Sequence, residues 1–126
     1  MAMKITRRQV DGVTILDLNG RITLGDGEVV LRETIQDLAK EGDRRILLNL
    51  GNVPYIDSTG LGELVRAYTT MRKRGAEVKL LNLTKKIHDL LELTKLYTVF
   101  DVYGDEDSAI RAFRTDERSA SSIAEA

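Results

Sequence analysis

The sequence contains no cysteine and no tryptophan, and it has one proline and one histidine. Without cysteine, the 126-residue chain forms no disulfides and relies on its hydrophobic core, which fits a reducing compartment. No apolar run approaches the roughly 18–20 residues that span a bilayer, and the N-terminus lacks the apolar stretch of a signal peptide. We therefore expect one soluble, cytoplasmic domain that does not insert into a membrane.

Excess charge of either sign is also lacking, because 19 basic residues stand against 20 acidic ones. A run of three basic residues, Arg72–Arg74, closes a predicted helix, where positive charge suits the helix dipole. Nothing in this balance indicates binding to nucleic acid or to an anionic surface. We therefore predict no direct nucleic-acid partner.

Hydrophobic periodicity predicts a hairpin followed by alternating strands and helices, which is typical of an α/β domain with a mixed sheet. We expect a sheet of four to five strands and about four helices within residues 1–114. Six segments have a strand pattern: Lys4–Gln9, Val13–Leu18, Gly20–Leu24, Arg45–Leu50, Ala76–Leu83 and Tyr97–Tyr103. The predicted helices are Glu28–Glu41, one from the Asp57–Gly60 turn to Gly75, one capped by Thr84, and one capped by Asp105.

The C-terminal residues 115–126 differ from the rest of the chain in composition. They are small and polar, with a Ser-Ala-Ser-Ser core. Such a segment has too little apolar surface to offset the entropy lost on ordering. We expect it to be a mobile tail.

Three patterns suggest ligand-binding chemistry but lack residues that the chemistry requires. Gly25 and Gly27 lie between a strand and a helix, yet the third glycine of a nucleotide-binding loop is missing. The lone His88 would need three carboxylates to complete a zinc site. Asp105–Asp107 begins like a calcium loop, but apolar residues follow where a ligand and a glycine are needed. We predict no metal and no cofactor.

The most informative motif is Asp57-Ser58-Thr59-Gly60, which joins a short apolar strand to an amphipathic helix. Helix capping is one interpretation, because Asp, Ser and Thr are all good N-cap residues. However, the reciprocal capping box is absent, and Gly60 and Gly62 are poor helix formers. We expect these glycines to leave the helix start open to another protein. A phosphate here would meet unpaired N–H groups and add about −1.5 to −2 charges.

A hydrolase that uses Ser58 as its nucleophile is a further alternative. A nucleophile elbow has glycine two residues before and after the serine, and here Ile56 and Gly60 occupy those positions. The sequence also offers no convincing general base or oxyanion hole. We therefore predict that the protein is not an enzyme.

Several segments together resemble a known family. They are Ile46–Leu50, Val53–Gly62, Gly75–Leu80 and Leu91–Leu96. These segments resemble the STAS domain, and within it most closely the bacterial anti-sigma-factor antagonists. The resemblance covers about residues 3–114.

The resemblance implies a regulator that switches between partners. In that family the unphosphorylated antagonist binds an anti-sigma factor and so frees a sigma factor. The anti-sigma factor is also a kinase that phosphorylates the serine after the Asp, and a serine phosphatase reverses this. Carried over, the phosphorylated residue is Ser58, with Thr59 as the alternative. The implied partner-binding residues are Asp57, Ser58, Thr59, Gly60, Leu61, Gly62 and Thr23.

The chain departs from the family pattern at Gly20-Arg21-Ile22-Thr23. The family often has an acidic residue, an apolar residue and an Asp after this glycine, and the Asp faces the kinase. Here Arg21 reverses a charge and Thr23 replaces the Asp. The departure favours a partner with an altered surface, or a constitutive STAS subunit of a lipid-transport or stress-signalling complex.

Overall fold

A computed structural model describes residues 3–114. The strands are β1 Lys4–Val10, β2 Val13–Asn19, β3 Arg45–Asn52, β4 Glu77–Leu81 and β5 Val102–Tyr103. The helices are α1 Asp26–Glu41, α2 Ser58–Lys73, α3 Lys85–Leu93 and α4, residues 106–114, with a 3-10 turn at Leu96–Thr98. The predicted α/β class with a mixed five-stranded sheet is confirmed. The predicted mobile tail lies outside the described residues.

The sheet has the strand order β1-β2-β3-β4-β5. The first pair is antiparallel, and the other three pairs are parallel. The hairpin turns at Asp11 and Gly12, both with positive φ (51° and 80°), as its tight two-residue turn requires. Because β2, β3 and β4 are parallel, their C-terminal ends lie along one edge, where the loops into the helices emerge.

The sheet is covered on both faces, although unequally. One face packs against α1, α2 and α3 through a large cluster that includes Leu16, Leu48, Leu31 and Leu64. The other face packs α4 against Ile15 and Leu47, among others, in a smaller cluster. Two-sided burial explains the apolar run of β3, since neighbouring side chains of a strand point to opposite faces.

Two predicted strands are wrong. Gly20–Leu24 makes one isolated bridge, Ile22 to Ile56, because Gly20 turns the chain (φ 127°) into a loop between two helices. Tyr97–Tyr103 is mostly a turn, and only Val102–Tyr103 pairs with β4. In this segment Phe100 is buried and contacts the Tyr68 ring edge-on at 5.5 Å, so it serves the core rather than the sheet.

Two predicted helix ends are confirmed, whereas α1 begins at Asp26, two residues before the predicted Glu28. Gly42 closes α1 in the left-handed conformation (φ 79°), and its N–H donates to a carbonyl of the last turn. Thr84 caps α3, with its hydroxyl accepting from the N–H of Ile87 at 3.3 Å. Within residues 3–114, no helix is long and apolar enough to cross a membrane.

Candidate functional site

Asp57 is the N-cap of α2, and its side chain ties the helix to a distant loop. Oδ1 accepts from the N–H of Gly60 at 2.8 Å, and Oδ2 accepts from the N–H of Leu24 at 2.9 Å. The first bond satisfies a donor that every helix start leaves open. The second fixes the loop of residues 20–24, called here the β2–α1 loop, against the helix start. Both carboxylate oxygens of Asp57 therefore accept hydrogen bonds within the molecule. Because Asp57 connects the start of α2 to the β2–α1 loop, it is called here the strut.

The same bonds change the acidity of this group. The N–H groups of Gly60 and then Leu24 hold the pKa of Asp57 below its ordinary value of 3.8. Hydrogen bonds to the charged form favour ionisation. The strut is thus anionic over the whole physiological range.

Gly60 and Gly27 let the β2–α1 loop pass between two helices. A Cβ on Gly60 would overlap the carbonyl oxygen of Ile22 and lie 2.7 Å from its carbon. A Cβ on Gly27 of α1 would overlap the carbonyl oxygen of Arg21 in the same way. Both glycines are buried, and only a residue without a side chain permits so close an approach.

The sequence analysis expects Gly60 and Gly62 to leave the helix start open to a partner. This expectation is correct for Gly62 and wrong for Gly60. A Cβ on Gly62 would meet nothing within 4 Å, so this position is open to solvent. Gly60 is buried against the β2–α1 loop and does not clear space for a partner. The predicted partner-binding residues are therefore divided between the two sides of the first turn.

Ser58 lies on the outer side of this turn and is exposed, while Thr59 is half-buried. Because Asp57 makes the cap, the Ser58 hydroxyl is not needed to start the helix. Leu61 is buried, although its side chain reaches the neighbouring groove. Thr23 is half-buried in the β2–α1 loop, where its carbonyl accepts from the N–H of Glu28 at 3.1 Å.

A groove of about 600 Å³ opens beside Ser58, between the start of α2 and the length of α3. Its lining is mostly apolar and includes Tyr55, Leu61, Leu90 and Leu93. Lys86 and Asp89 are its charged members on α3, and the Lys86 Nζ lies 5.1 Å from the centre of the Tyr55 ring. The sequence analysis missed this groove because it forms between segments far apart in the chain.

Exposed apolar side chains concentrate around this groove. Tyr55 and Leu93 line it and are 41% and 82% exposed. Leu24, 74% exposed, lies in the β2–α1 loop where its N–H is bonded to Asp57. Within residues 3–114, only Val99 joins these three as an exposed large apolar side chain. Clustered apolar exposure is typical of a surface that binds another molecule.

A buried charge cluster holds α1 against α2 on the inner side. Arg32 Nη1 lies 3.3 Å from Glu28 and 3.2 Å from Glu63, and both carboxylates belong to buried residues. This cluster was also missed. The sequence indicates this cluster through Glu63, because Glu63 lies four residues before the buried Ala67 and so shares the buried face of α2.

The side chain of His88 is 38% exposed on α3, and its ring meets Tyr97 edge-on at 4.8 Å. Potential ligand atoms of His88, Asp89 and Glu92 lie within 4.8 Å of one another on this surface. Exposed acidic groups often meet in this way without an ion, and the short spacing of these three residues along α3 accounts for their proximity. His88 does not line the groove beside Ser58.

Comparisons with known proteins match most of the chain to one family. The STAS domain matches residues 4–109. A candidate anti-sigma factor antagonist of Bordetella bronchiseptica, BtrV, is 29% identical over 113 residues, 90% of this chain and 97% of the relative. An anti-sigma-B factor antagonist of Bacillus subtilis is 36% identical over 83 residues, 65% of this chain and 74% of the relative.

The fold is shared with solved structures. The crystal structure of an anti-sigma factor antagonist from Mycobacterium paratuberculosis superimposes with a TM-score of 0.79 at 21% identity. The match covers 90% of this chain and 95% of that chain.

Proposed function

The chain belongs to the STAS domain family, and we propose that it is an anti-sigma-factor antagonist controlled by phosphorylation of Ser58. Unphosphorylated, it binds an anti-sigma factor with serine kinase activity and so releases a sigma factor. A serine phosphatase restores the binding form. The role is a cytoplasmic, non-catalytic one, with no direct contact to nucleic acid. The relatives named as antagonists support this proposal.

The observation that carries the proposal is the division of labour at the start of α2. Asp57 caps the helix and holds the β2–α1 loop, and this leaves the Ser58 hydroxyl exposed and without a structural task. Modifying Ser58 therefore disturbs no contact that the fold needs. A serine chosen only to start the helix would be the cap itself.

The sign of the switch follows from the charge added. A phosphate at the α2 N-terminus gains roughly 0.3–1 kcal/mol from the helix dipole, so the fold persists. At an interface the same dianion must lose water or meet existing acidic groups, and like charges brought together cost several kcal/mol. Each 1.4 kcal/mol or so is a factor of ten in affinity. Phosphorylation therefore prevents docking while the domain stays folded.

The test combines mass spectrometry with matched variants. The intact mass of the protein from its native cells should carry one phosphate, localised to Ser58 rather than Thr59. Ser58→Ala should bind the anti-sigma factor, whereas Ser58→Asp should bind at least about a hundredfold more weakly. Both variants should unfold within about 0.5 kcal/mol of the parent.

Thr69→Asp is the control, because Thr69 lies on the same helix, exposed and beyond the first turn. It adds the same charge and should bind like the parent. Equal binding by Ser58→Ala and Ser58→Asp would refute the proposal.

A second candidate is a constitutive STAS subunit of a lipid-transport or stress-signalling complex. The observation that favours it is Arg21, a cation exposed in the β2–α1 loop where the antagonists often have an acid. In that case the chain would purify with a transport ATPase or a large scaffold. The complex would be unchanged by phosphatase treatment and by Ser58→Asp.

A further inference from the structure

Asn19 and Gly20, at the end of β2, form the only asparagine–glycine pair in the sequence. The other three asparagines, Asn49, Asn52 and Asn82, precede leucine, valine and leucine. Glycine leaves the backbone nitrogen after an asparagine unshielded, because it has no Cβ. We propose that Asn19 is a site of spontaneous deamidation and that Asn52 restrains the reaction. Neither phosphorylation nor the identity of a partner enters into this chemistry.

The reaction is an intramolecular substitution followed by hydrolysis. The backbone nitrogen of Gly20 loses its proton and bonds to Cγ of Asn19, and the side-chain nitrogen of Asn19 leaves as ammonia. Water, the one co-reactant, then opens the five-membered succinimide ring. Breaking the new bond to Cγ gives aspartate, whereas breaking the original peptide bond gives isoaspartate, in which the main chain runs through Cβ and Cγ. Either product carries one more negative charge than the parent at neutral pH.

The folded structure engages both reacting groups through Asn52, the last residue of β3. The N–H of Gly20 donates to the backbone carbonyl of Asn52 at 3.2 Å, so the attacking nitrogen is occupied. The Nδ2 of Asn52 donates to Oδ1 of Asn19 at 3.0 Å and directs this side chain at β3. Ring closure also needs a negative ψ at Asn19, whereas parallel and antiparallel strand residues have ψ of about +115° to +135°. Asn52 therefore opposes the reaction with its backbone and with its side chain.

The pairing of Asn19 with Asn52, called here the terminal rung, is separated from the rest of the ladder between β2 and β3. The register is regular as far as Asp17 and then shifts, so that Asn19 pairs with Asn52 instead of Gly51. A rung beyond such an irregularity opens more easily than the ladder interior, because fewer neighbouring bonds must break. Asn52 is exposed and Gly20 is half-buried, so water reaches the rung. Deamidation therefore proceeds through opening of this rung, without global unfolding.

The isoaspartyl product would lengthen the main chain just before a tightly held segment, the β2–α1 loop. The carbonyls of Arg21 and Ile22 lie so close to Gly27 and Gly60 that a Cβ on either glycine would overlap them. The N–H of Ile22 also donates to the carbonyl of Tyr55 at 3.1 Å. An added main-chain atom cannot be absorbed there without moving these contacts. Isoaspartate at position 19 should therefore loosen the β2–α1 loop.

The test follows the full chain over time at physiological temperature and mildly alkaline pH, where the Gly20 nitrogen loses its proton more readily. Trypsin releases a peptide of residues 9–21, in which Asn19 is the single asparagine. Chromatography with mass spectrometry separates its asparaginyl, aspartyl and isoaspartyl forms. In guanidinium chloride the unfolded chain should react at Asn19 at least about tenfold faster than the folded parent, because no rung restrains it.

The role of Asn52 is tested in the folded protein with Asn52→Ala, which removes the bond to Oδ1 of Asn19 and keeps the backbone bond to Gly20. Deamidation at Asn19 should become about three- to tenfold faster, the change expected when one hydrogen bond no longer opposes opening. If Asn52→Ala does not fold, Asn52→Asp replaces it, because it removes the donor at nearly the same size. An increase in the same direction is expected.

Asn82→Gly is the matched control. Asn82 is exposed just after β4, and its side chain donates to Oδ1 of Asn49 at 3.4 Å, so an amide contact between neighbouring strands is again removed. Glycine tolerates the positive φ of this position, 58°. The control should leave the rate at Asn19 unchanged. Circular dichroism should show that the control and the Asn52 variant are folded like the parent.

An unfolded chain that keeps its amide at Asn19 would overturn the assignment of this site. A folded parent that reacts as fast as the unfolded chain would overturn the restraint, and so would an Asn52→Ala rate equal to that of the parent. The isoaspartyl protein, purified by ion exchange, should show faster amide exchange at Leu24 than Asn19→Asp, which adds the charge without lengthening the main chain. Equal exchange in the two would refute the effect on the β2–α1 loop.

Discussion

The inner and outer sides of the first turn of α2 have different tasks. On the inner side, Asp57 and Gly60 hold the β2–α1 loop through hydrogen bonds and a backbone contact that only glycine allows. On the outer side, Ser58 and Gly62 are exposed, and no neighbour restricts the Gly62 position. Residues next to each other in the chain thus serve the architecture and the surface separately.

This difference explains how a helix start can accept a charged modification. Where a serine is itself the N-cap, a phosphate is added to the same oxygen that accepts the capping hydrogen bond, so modification would alter the cap. Here the cap is the neighbouring Asp57, so the hydroxyl and the cap are different groups. The separation keeps folding independent of the proposed switch.

The largest effect is expected at Gly60, on the inner side of the first turn. Gly60→Ala should destabilise the fold by about 1–3 kcal/mol, because its Cβ would overlap the Ile22 carbonyl and push the β2–α1 loop outward. Urea unfolding followed by circular dichroism measures the change. Wild-type stability of Gly60→Ala would show that the inner side is not constrained as described.

A second test removes the charge of the strut. Asp57→Asn should weaken the bond to the Leu24 N–H, and amide exchange of Leu24 should become faster. Asp105→Asn is the control, since the Asp105 side chain caps α4 by accepting from the N–H and the hydroxyl of Ser108, three residues away. It should leave the Leu24 exchange unchanged. Faster Leu24 exchange in both variants would mean that the strut has no special role.

The stability difference between the parent and Asp57→Asn should depend on pH with a defined sign. The pKa of Asp57 is lowered in the folded protein by the N–H groups of Gly60 and Leu24. The contribution of Asp57 to the stability of the fold is therefore complete at pH values above its pKa in the unfolded chain, about 4. This contribution is lost as pH falls through the pKa in the folded protein. The stability gap between the parent and Asp57→Asn should be largest near neutral pH and should narrow below about pH 4.

The smallest effect is expected on the outer side. Gly62→Ala should stabilise the domain by about 0.4–1 kcal/mol, because alanine reduces the freedom of the unfolded chain and meets no neighbour within 4 Å. The same urea measurement as for Gly60→Ala applies. Destabilisation by Gly62→Ala would remove the contrast between the two sides.

Much of the fold could be predicted because its signals are local. The Asp11-Gly12 turn, the Gly42 and Thr84 helix ends and the apolar run of β3 each depend on a few adjacent residues. The two wrong strands failed for the opposite reason. Gly20–Leu24 has strand composition, but it passes between α1 and α2 and finds a partner only at Ile22. Phe100 packs in the core against Tyr68, which is distant in sequence.

The sequence indicated a candidate segment but not its geometry. The motif Asp57-Ser58-Thr59-Gly60 indicated where to look, whereas the contacts of Asp57 and Gly60 depend on a loop elsewhere in the chain. The sequence predicts an open surface at Gly60, whereas the structure places this glycine against Ile22. The groove and the Arg32 cluster could not be predicted, because each combines side chains from separate elements.

The sequence by itself determined the α/β class, most of the strands and helices, the family and the position of the candidate serine, because these depend on periodicity and on adjacent residues. Only the tertiary structure decided which side of the helix start is buried, since the carboxylate of Asp57 meets the N–H of Leu24 across 33 positions of the chain. It also decided that Tyr55, Lys86 and Leu93 share one surface. Such contacts arise from packing, and no local pattern encodes them.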